Sequence, residues 1–223
     1  MSNVFSHLFF VLSISGGLSI TSSPVPDELL TLPIEREVEL ALAAAPSHLR
    51  SEASVYIFGK KGYTKFRDGS NGVNCLVNRD GLQSGGKMLR PTCWDKEGSA
   101  SILPVVLLLG ERLAEKKAAA EIRCEIDVGY QTGKFFSPRH TGIAYMLRGD
   151  ILYDPVSAEV KTMFPPHYMI YAPHVTNSDI GITDAARRQN TSLPFIYSGY
   201  VGGERMSYLI IMAGSQADPI MAH

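Results

Sequence analysis

The order in which hydrophobic patterns follow one another most strongly restricts the fold of this chain. Alternating, β-type segments occupy 53–78, helical patterns follow at 101–115 and 117–128, and β-type segments return from 142 onward. Strands, then helices, then strands again favour an antiparallel sheet with the helices packed on it. We therefore predict a single α+β domain: a mainly antiparallel sheet with two or three helices on one face.

Turn residues mark the elements at the start of this domain. Apolar residues at helical spacing predict a helix over 34–45, which Pro46 ends. Residues 53–58 and 63–67 flank a Gly-Lys-Lys-Gly turn and predict a hairpin, and 73–78 predicts a third strand. We expect these three strands to form a meander.

The next segment is rich in turn residues. Residues 79–98 contain several glycines and Pro91, and they are predicted to form a long irregular loop. Ser101 is expected to cap the helix over 101–115, and Pro104 is tolerated in its first turn.

The C-terminal half returns to strand patterns. The predicted strands there are 142–147, 151–153, 167–172, 193–198 and 208–213. Residues 148–150 predict a turn, and 176–182 predicts a short helix capped by Thr176.

The N-terminal segment has the pattern of an export signal. The first 26 residues contain no Lys, Arg, Asp or Glu, and an apolar run from Leu8 to Ile20 is followed by small residues. This is typical of a signal peptide, although a basic residue is missing before the run. The alternatives are an uncleaved membrane anchor and a buried N-terminal segment, but the run is short beside the roughly 20 apolar residues of a membrane span. The predicted organisation is a removed signal peptide (1–23), a flexible lead-in (24–33), the α+β domain (34–214) and a C-terminal tail (215–223).

Export and net charge limit the partners that we expect. After cleavage the protein would be periplasmic or extracellular, with no stable membrane anchor. The net charge is −1, and the basic residues are scattered in pairs. Nucleic-acid binding needs clustered Lys and Arg, so we do not expect it.

The chain has three cysteines, and an oxidising compartment would pair two of them. Cys75 and Cys93 lie in neighbouring turn-rich segments, and closing that loop is worth about 3 kcal/mol in the chain-entropy model. Cys124 is four residues from both Ala120 and Val128 in a helical pattern, which suggests an apolar face. We predict a Cys75–Cys93 disulfide and a buried, reduced Cys124.

Candidate catalytic residues are His167, His140, Cys75 and Asp154. A Cys75 nucleophile needs an imidazole within hydrogen-bond reach, and a disulfide would remove its thiolate. Asp154 is interpreted more simply as a turn residue. These residues leave a hydrolase open, with a histidine acting together with an aspartate or Cys75.

His140, His167 and His174 carry the ligand atoms that zinc prefers, but their spacing matches no metal motif. His167 and His174 would point to opposite faces of a straight strand. Each is interpreted as a lone surface or core histidine, so no metal and no cofactor is predicted.

The densest aromatic segment runs from His167 to His174. Strand alternation places His167, Met169 and Tyr171 on one face, and together with Tyr145, Tyr153 and Tyr197 this segment could line a pocket for a small molecule or a glycan. The alternative is that these are ordinary sheet residues. The candidate ligand-binding residues are His167, Met169, Tyr171 and Tyr145.

Three strings resemble a group of exported bacterial proteins with no assigned activity: NGVNCLV at 71–77, GIAYML at 142–147 and PHYMIYAP at 166–173. The resemblance implies export from a bacterium, and it implies no fold, activity or site residue. Without a catalytic signature, we expect an exported domain that binds a small molecule, a glycan or a protein without catalysis.

Overall fold

The computed structural model describes residues 31–79 and 88–214. The predicted signal peptide, most of the predicted lead-in and the predicted tail lie outside these residues. The helices of the described chain are α1 (Ile34–Ala43), α2 (Ser47–Arg50), α3 (Lys96–Ser101), α4 (Leu103–Ala114), α5 (Ala119–Gln131) and α6 (Asp184–Gln189). The strands are β1 (Ser54–Gly59), β2 (Gly62–Arg67), β3 (Asn74–Arg79), β4 (Met88–Trp94), β5 (Ile143–Met146), β6 (Asp150–Tyr153), β7 (Val160–Phe164), β8 (His167–Tyr171), β9 (Phe195–Tyr197) and β10 (Tyr208–Met212).

These strands form one mixed, mostly antiparallel sheet, which confirms the predicted α+β class. The strand order is β2-β1-β3-β4-β5-β8-β10-β9, and β6 pairs with β4 and β7 beside this path. The pairing of β1 with β3 is parallel, whereas the other pairings are antiparallel. Among the described helices, none is long and apolar enough to cross a bilayer.

The predicted β1–β2 hairpin is confirmed, but the three-strand meander is wrong. β3 lies beside β1 and runs parallel to it instead of returning along β2. Hydrogen bonds hold the intervening turn at the start of β1: Gly69 N donates to Ser54 Oγ at 2.9 Å, and Ser54 N donates to the Val73 carbonyl at 2.8 Å. These contacts, between residues at least 15 positions apart, decide the topology, and the turn dipeptides alone did not reveal them.

The predicted irregular loop over 79–98 is wrong for its second half, because 88–94 is the buried strand β4. Pro91 misled the prediction, since proline removes a backbone donor from a sheet. It is tolerated here because β4 changes partners around it. Met88 and Leu89 pair with β6, whereas Cys93 and Trp94 pair with β5.

The sheet is covered on both faces. Helices α4 and α5 pack with α3 on one face, over a core that contains Leu76, Trp94 and Met169. Helix α1 covers the opposite face, where Leu40 and Ala41 pack with the disulfide-bonded cysteines. Helices α3, α4 and α5 therefore lie on one face as expected, and α1 is an addition on the other.

Ser101 does not cap the helix over 101–115. The helical segment begins earlier, with α3, whose N-cap Asp95 accepts a hydrogen bond from Gly98 N at 2.9 Å. Ser101 ends α3, and its hydroxyl donates to the Glu97 carbonyl at 2.7 Å. Pro104 lies in the first turn of α4, as predicted.

The five predicted C-terminal strands are confirmed, and β7 was missed. The predicted helix over 176–182 is wrong, because this segment forms turns in which Thr176 and Asp179 hydrogen-bond to each other. The helix of this region is instead α6, which Thr183 caps by accepting from Ala186 N at 3.2 Å.

The Cys75–Cys93 disulfide is confirmed. The two residues face each other across the antiparallel β3–β4 pair, and both are fully buried. The prediction that Cys124 is buried is wrong, since this free cysteine is exposed. Helix α5 buries Ala119, Ile122, Ile126 and Gly129, and this stripe leaves the Ala120–Cys124–Val128 face in solvent.

Candidate functional site

A cavity of about 350 Å³ opens at the margin of the larger core, where β4 and β6 to β10 come together under α6. Its polar lining residues are Arg90, Asp150, His167 and Arg187. Its aromatic lining residues are Phe164, Phe195, Tyr197 and Tyr200. We call this the sheet pocket.

Arg90 and Asp150 are brought together where β4 changes its pairing partner from β6 to β5. Arg90 lies on β4 between the residues that pair with β6 and those that pair with β5. Its Nε lies 3.2 Å from Oδ2 of Asp150, and the two side chains are only 12% and 13% exposed. Gly149 makes this arrangement possible, because its φ is 71° and any side chain there would collide with the Phe164 carbonyl oxygen.

His167 begins β8 and is 3% exposed. Its Nδ1 lies 2.8 Å from the Pro165 carbonyl oxygen, which can only accept, so Nδ1 carries the proton. Nε2 of the neutral ring is then an acceptor. Burial lowers the pKa of the His167 imidazole below its usual 6.5; Arg90 lowers it further, and the Pro165 carbonyl and Asp150 act in the opposite direction.

This lowered pKa predicts a pH dependence of stability. The unfolded chain, with a histidine pKa near 6.5, takes up a proton before the folded chain does, so the contribution of His167 is present above pH 6.5 and is lost as the pH falls below it. We expect the free energy of unfolding to decrease between about pH 7 and about pH 5 more steeply in the wild-type protein than in His167→Gln, which keeps a side-chain donor. Urea unfolding at several pH values measures this, and parallel curves for the two proteins would contradict it.

Arg187 lies in the last turn of α6, and its Cζ is 3.5 Å from the centroid of the Phe195 ring. Its Nε is buried and has no hydrogen-bond partner. Among the described residues the Arg187 guanidinium forms no ion pair, in contrast to Arg90.

The aromatic walls support one another through edge-to-face contacts. The rings of Phe164 and His167 are 5.0 Å apart at 80°, and those of Tyr197 and Tyr200 are 5.1 Å apart at 88°. Burial raises the pKa of Tyr200 well above its usual 10.0, so its hydroxyl stays protonated. The walls therefore offer apolar ring surface to a ligand, while the Tyr200 hydroxyl is directed at the Met146 and Met169 sulfurs.

Only His167 of the four candidate catalytic residues lines the sheet pocket. Cys75 is buried in the disulfide, on the α1 side of the sheet. His140 is exposed in the segment before β5. Asp154 is a turn residue that accepts a hydrogen bond from Val156 N at 2.8 Å, and this bond lowers its pKa.

The candidate ligand-binding residues are divided between the two faces of the sheet. Strand β8 buries His167, Met169 and Tyr171 on one face, as the alternation predicted. Met169 and Tyr171 are core residues there, and the Tyr171 hydroxyl donates to Asp95 at 2.7 Å. Tyr145 lies on the opposite face, beside the α1 core. Of these four, His167 is the one that lines the sheet pocket.

The three histidines considered as metal ligands do not converge. Within 31–79 and 88–214, no group of three or more His, Cys, Asp and Glu side chains is placed to hold a metal ion. His167 lines the sheet pocket, whereas His174 lines a second cavity of about 410 Å³ between α5 and the turn at 200–205. In that second cavity Arg205 Nη1 donates to Asp127 Oδ1 at 2.8 Å, so these two opposite charges neutralise each other.

Sequence reasoning missed the two arginines of the sheet pocket. Arg90 lies in the segment that was predicted to be a loop, and Arg187 was not among the candidate site residues. The Thr183 cap was a usable signal for α6, and it would have placed Arg187 on a helix. No local signal shows that this helix lies over β9.

No protein-family model, curated protein or solved structure matches this chain.

Proposed function

We propose that this chain is an exported domain that binds a small molecule in the sheet pocket without catalysis. The observation that carries the proposal is the pocket itself: a cavity of about 350 Å³ with four aromatic walls and a few convergent polar groups. Small-molecule sites have this composition and typically occupy about 300–1,000 Å³.

The chemistry of the lining favours binding over reaction. None of the described residues that line the pocket is Ser, Thr, Cys or Lys, the usual covalent nucleophiles. Export is supported by the Cys75–Cys93 disulfide, because disulfides persist in oxidising compartments.

The alternative is a hydrolase in which His167 is a general base that activates water. One observation favours it: a neutral imidazole and the Asp150 carboxylate line the same cavity. Asp150 is paired with Arg90, however, and its carboxylate makes no hydrogen bond with His167. A catalytic His167 oriented by the Asp150 carboxylate is therefore less well supported than a binding pocket.

Filling the pocket should abolish ligand retention. Ile210 of β10 lines the pocket and is 3% exposed, whereas Ile211 points to the other face and is 40% exposed. We expect native mass spectrometry of the protein purified from its source to show a bound small molecule in the wild type and in Ile211→Phe, but not in Ile210→Phe.

The matched pair separates loss of the pocket from loss of the fold, since both variants add the same ring to one strand. Urea unfolding checks that Ile210→Phe is folded. A bound molecule in Ile210→Phe, or none in any of the three proteins, would contradict binding in the sheet pocket. If the wild-type protein hydrolyses an ester or an amide and His167→Gln does not, the hydrolase replaces the binding domain as the function.

A further inference from the structure

Arg187 is the least satisfied charged group of the sheet pocket. Its guanidinium stacks on Phe195, and stacking uses the flat face of the group while the N–H donors lie at its edge. The buried Nε–H has no acceptor. Buried donors in native proteins almost always have a partner, so an unused one calls for an acceptor from outside the described chain.

The charges of the pocket do not cancel. Among the residues that the structure describes, its lining holds two guanidinium groups, Arg90 and Arg187, and one carboxylate, Asp150, which is already paired with Arg90. His167 adds no charge near neutral pH, because burial keeps its imidazole neutral. The described lining therefore has a net positive charge, and the charge without an ion-pair partner there is on Arg187.

The aromatic residues beneath Arg187 indicate what the rest of a ligand would be like. Phe195 supports the guanidinium, and Phe164 meets the Phe195 ring edge to face at 6.4 Å. Tyr197 and Tyr200 add two more rings to the lining. A purely inorganic anion would leave this apolar surface uncovered, whereas a ligand with a ring or a short apolar body would cover it.

We propose that the sheet pocket takes a small organic anion, with its carboxylate or phosphate on the Arg187 guanidinium and its apolar body between the aromatic walls. This proposal rests on the proposed function and adds the charge class of the ligand. Carboxylate and phosphate share the chemistry that a guanidinium recognises, namely paired oxygens that accept charge-assisted hydrogen bonds.

Three probes with one ring and different charges test the proposal. Benzoate is anionic, benzamide is neutral and benzylamine is cationic near neutral pH, so they differ mainly in the group offered to Arg187. Isothermal titration of the full domain should show benzoate binding at least about tenfold more tightly than benzamide, with benzylamine weakest. Phenyl phosphate in the same series distinguishes a phosphate from a carboxylate ligand.

Arg187→Gln should reduce the affinity for benzoate by about tenfold or more and leave benzamide binding within about twofold. Arg188→Gln is the matched control, because Arg188 is the next residue of α6 and is exposed. It should bind both probes like the wild type. Urea unfolding of both variants shows whether each is folded.

The outcomes separate this inference from the binding function. Benzamide binding as tightly as benzoate, or an unchanged benzoate affinity in Arg187→Gln, would overturn the anion inference while leaving a pocket for small molecules. Failure of all the probes to bind at millimolar concentration would overturn it as well. If the protein purified from its source also carries no bound molecule, the proposed function fails with it.

Discussion

Glu37→Gln should lower the free energy of unfolding by about 3–5 kcal/mol, the usual cost of removing one partner of a buried ion pair. Glu37 and Arg79 are 1% and 0% exposed, and their side chains form two parallel contacts of 2.7 and 2.8 Å. Oε1 of Glu37 also accepts a hydrogen bond from Phe58 N at 2.8 Å, so one carboxylate joins α1, β1 and β3. The variant leaves the Arg79 charge buried without the opposite charge, and urea unfolding monitored by circular dichroism measures the loss.

A matched control lies two residues further along α1. Glu39 pairs with Arg36 at 2.6 Å, but its side chain is 54% exposed. Glu39→Gln should therefore change stability by less than about 1 kcal/mol. The double variant Glu37→Met/Arg79→Met should be closer to the wild type than Glu37→Gln is, because it removes both charges. Equal stability of Glu37→Gln and Glu39→Gln would show that the buried pair is not a determinant of stability.

Reduction of the disulfide should destabilise the domain by about 3 kcal/mol, because the cross-link restricts the unfolded chain across a sequence separation of 18 residues. Cys75 and Cys93 are fully buried, so a reductant reaches them efficiently only when the chain unfolds. Urea unfolding and refolding at equilibrium, with and without dithiothreitol, compares the two states. The midpoint should fall in the reduced protein, while changes in the slope report on the compactness of the unfolded state.

Cys124→Ser is the control for this measurement. Cys124 is exposed and free, so its replacement should change stability by no more than about 0.5 kcal/mol. It also removes the thiol that could exchange with the disulfide during unfolding. Identical midpoints for the oxidised and reduced forms of Cys124→Ser would contradict a stabilising role of the cross-link.

The sheet pocket combines residues from six different strands and one helix, and this explains why sequence reasoning found it only in part. His167 was recognised because it stands in a dense aromatic strand with clear alternation. Asp150 was interpreted as a turn residue, and this turn is what brings it to Arg90. Tyr145 lies apart from His167, because the pairing of β5 with β8 places Tyr145 beside Tyr168 on the other face. The alternation of a strand shows which of its own residues share a face. It does not show which residues of the neighbouring strand lie on that same face.

Local signals along the chain were enough for the α+β class, most strands and helices, and the pairing of Cys75 with Cys93. Each depends on residues close in sequence: the period of apolar side chains, turn dipeptides, a proline at a helix end, and a short spacing between two cysteines. The parallel placement of β3, the strand at Pro91, the exposure of Cys124 and the pairing of Glu37 with Arg79 were decided by the tertiary structure. These features depend on which partner lies beside a segment, and hydrogen bonds and burial between distant parts of the chain outweigh the local preferences of the residues involved.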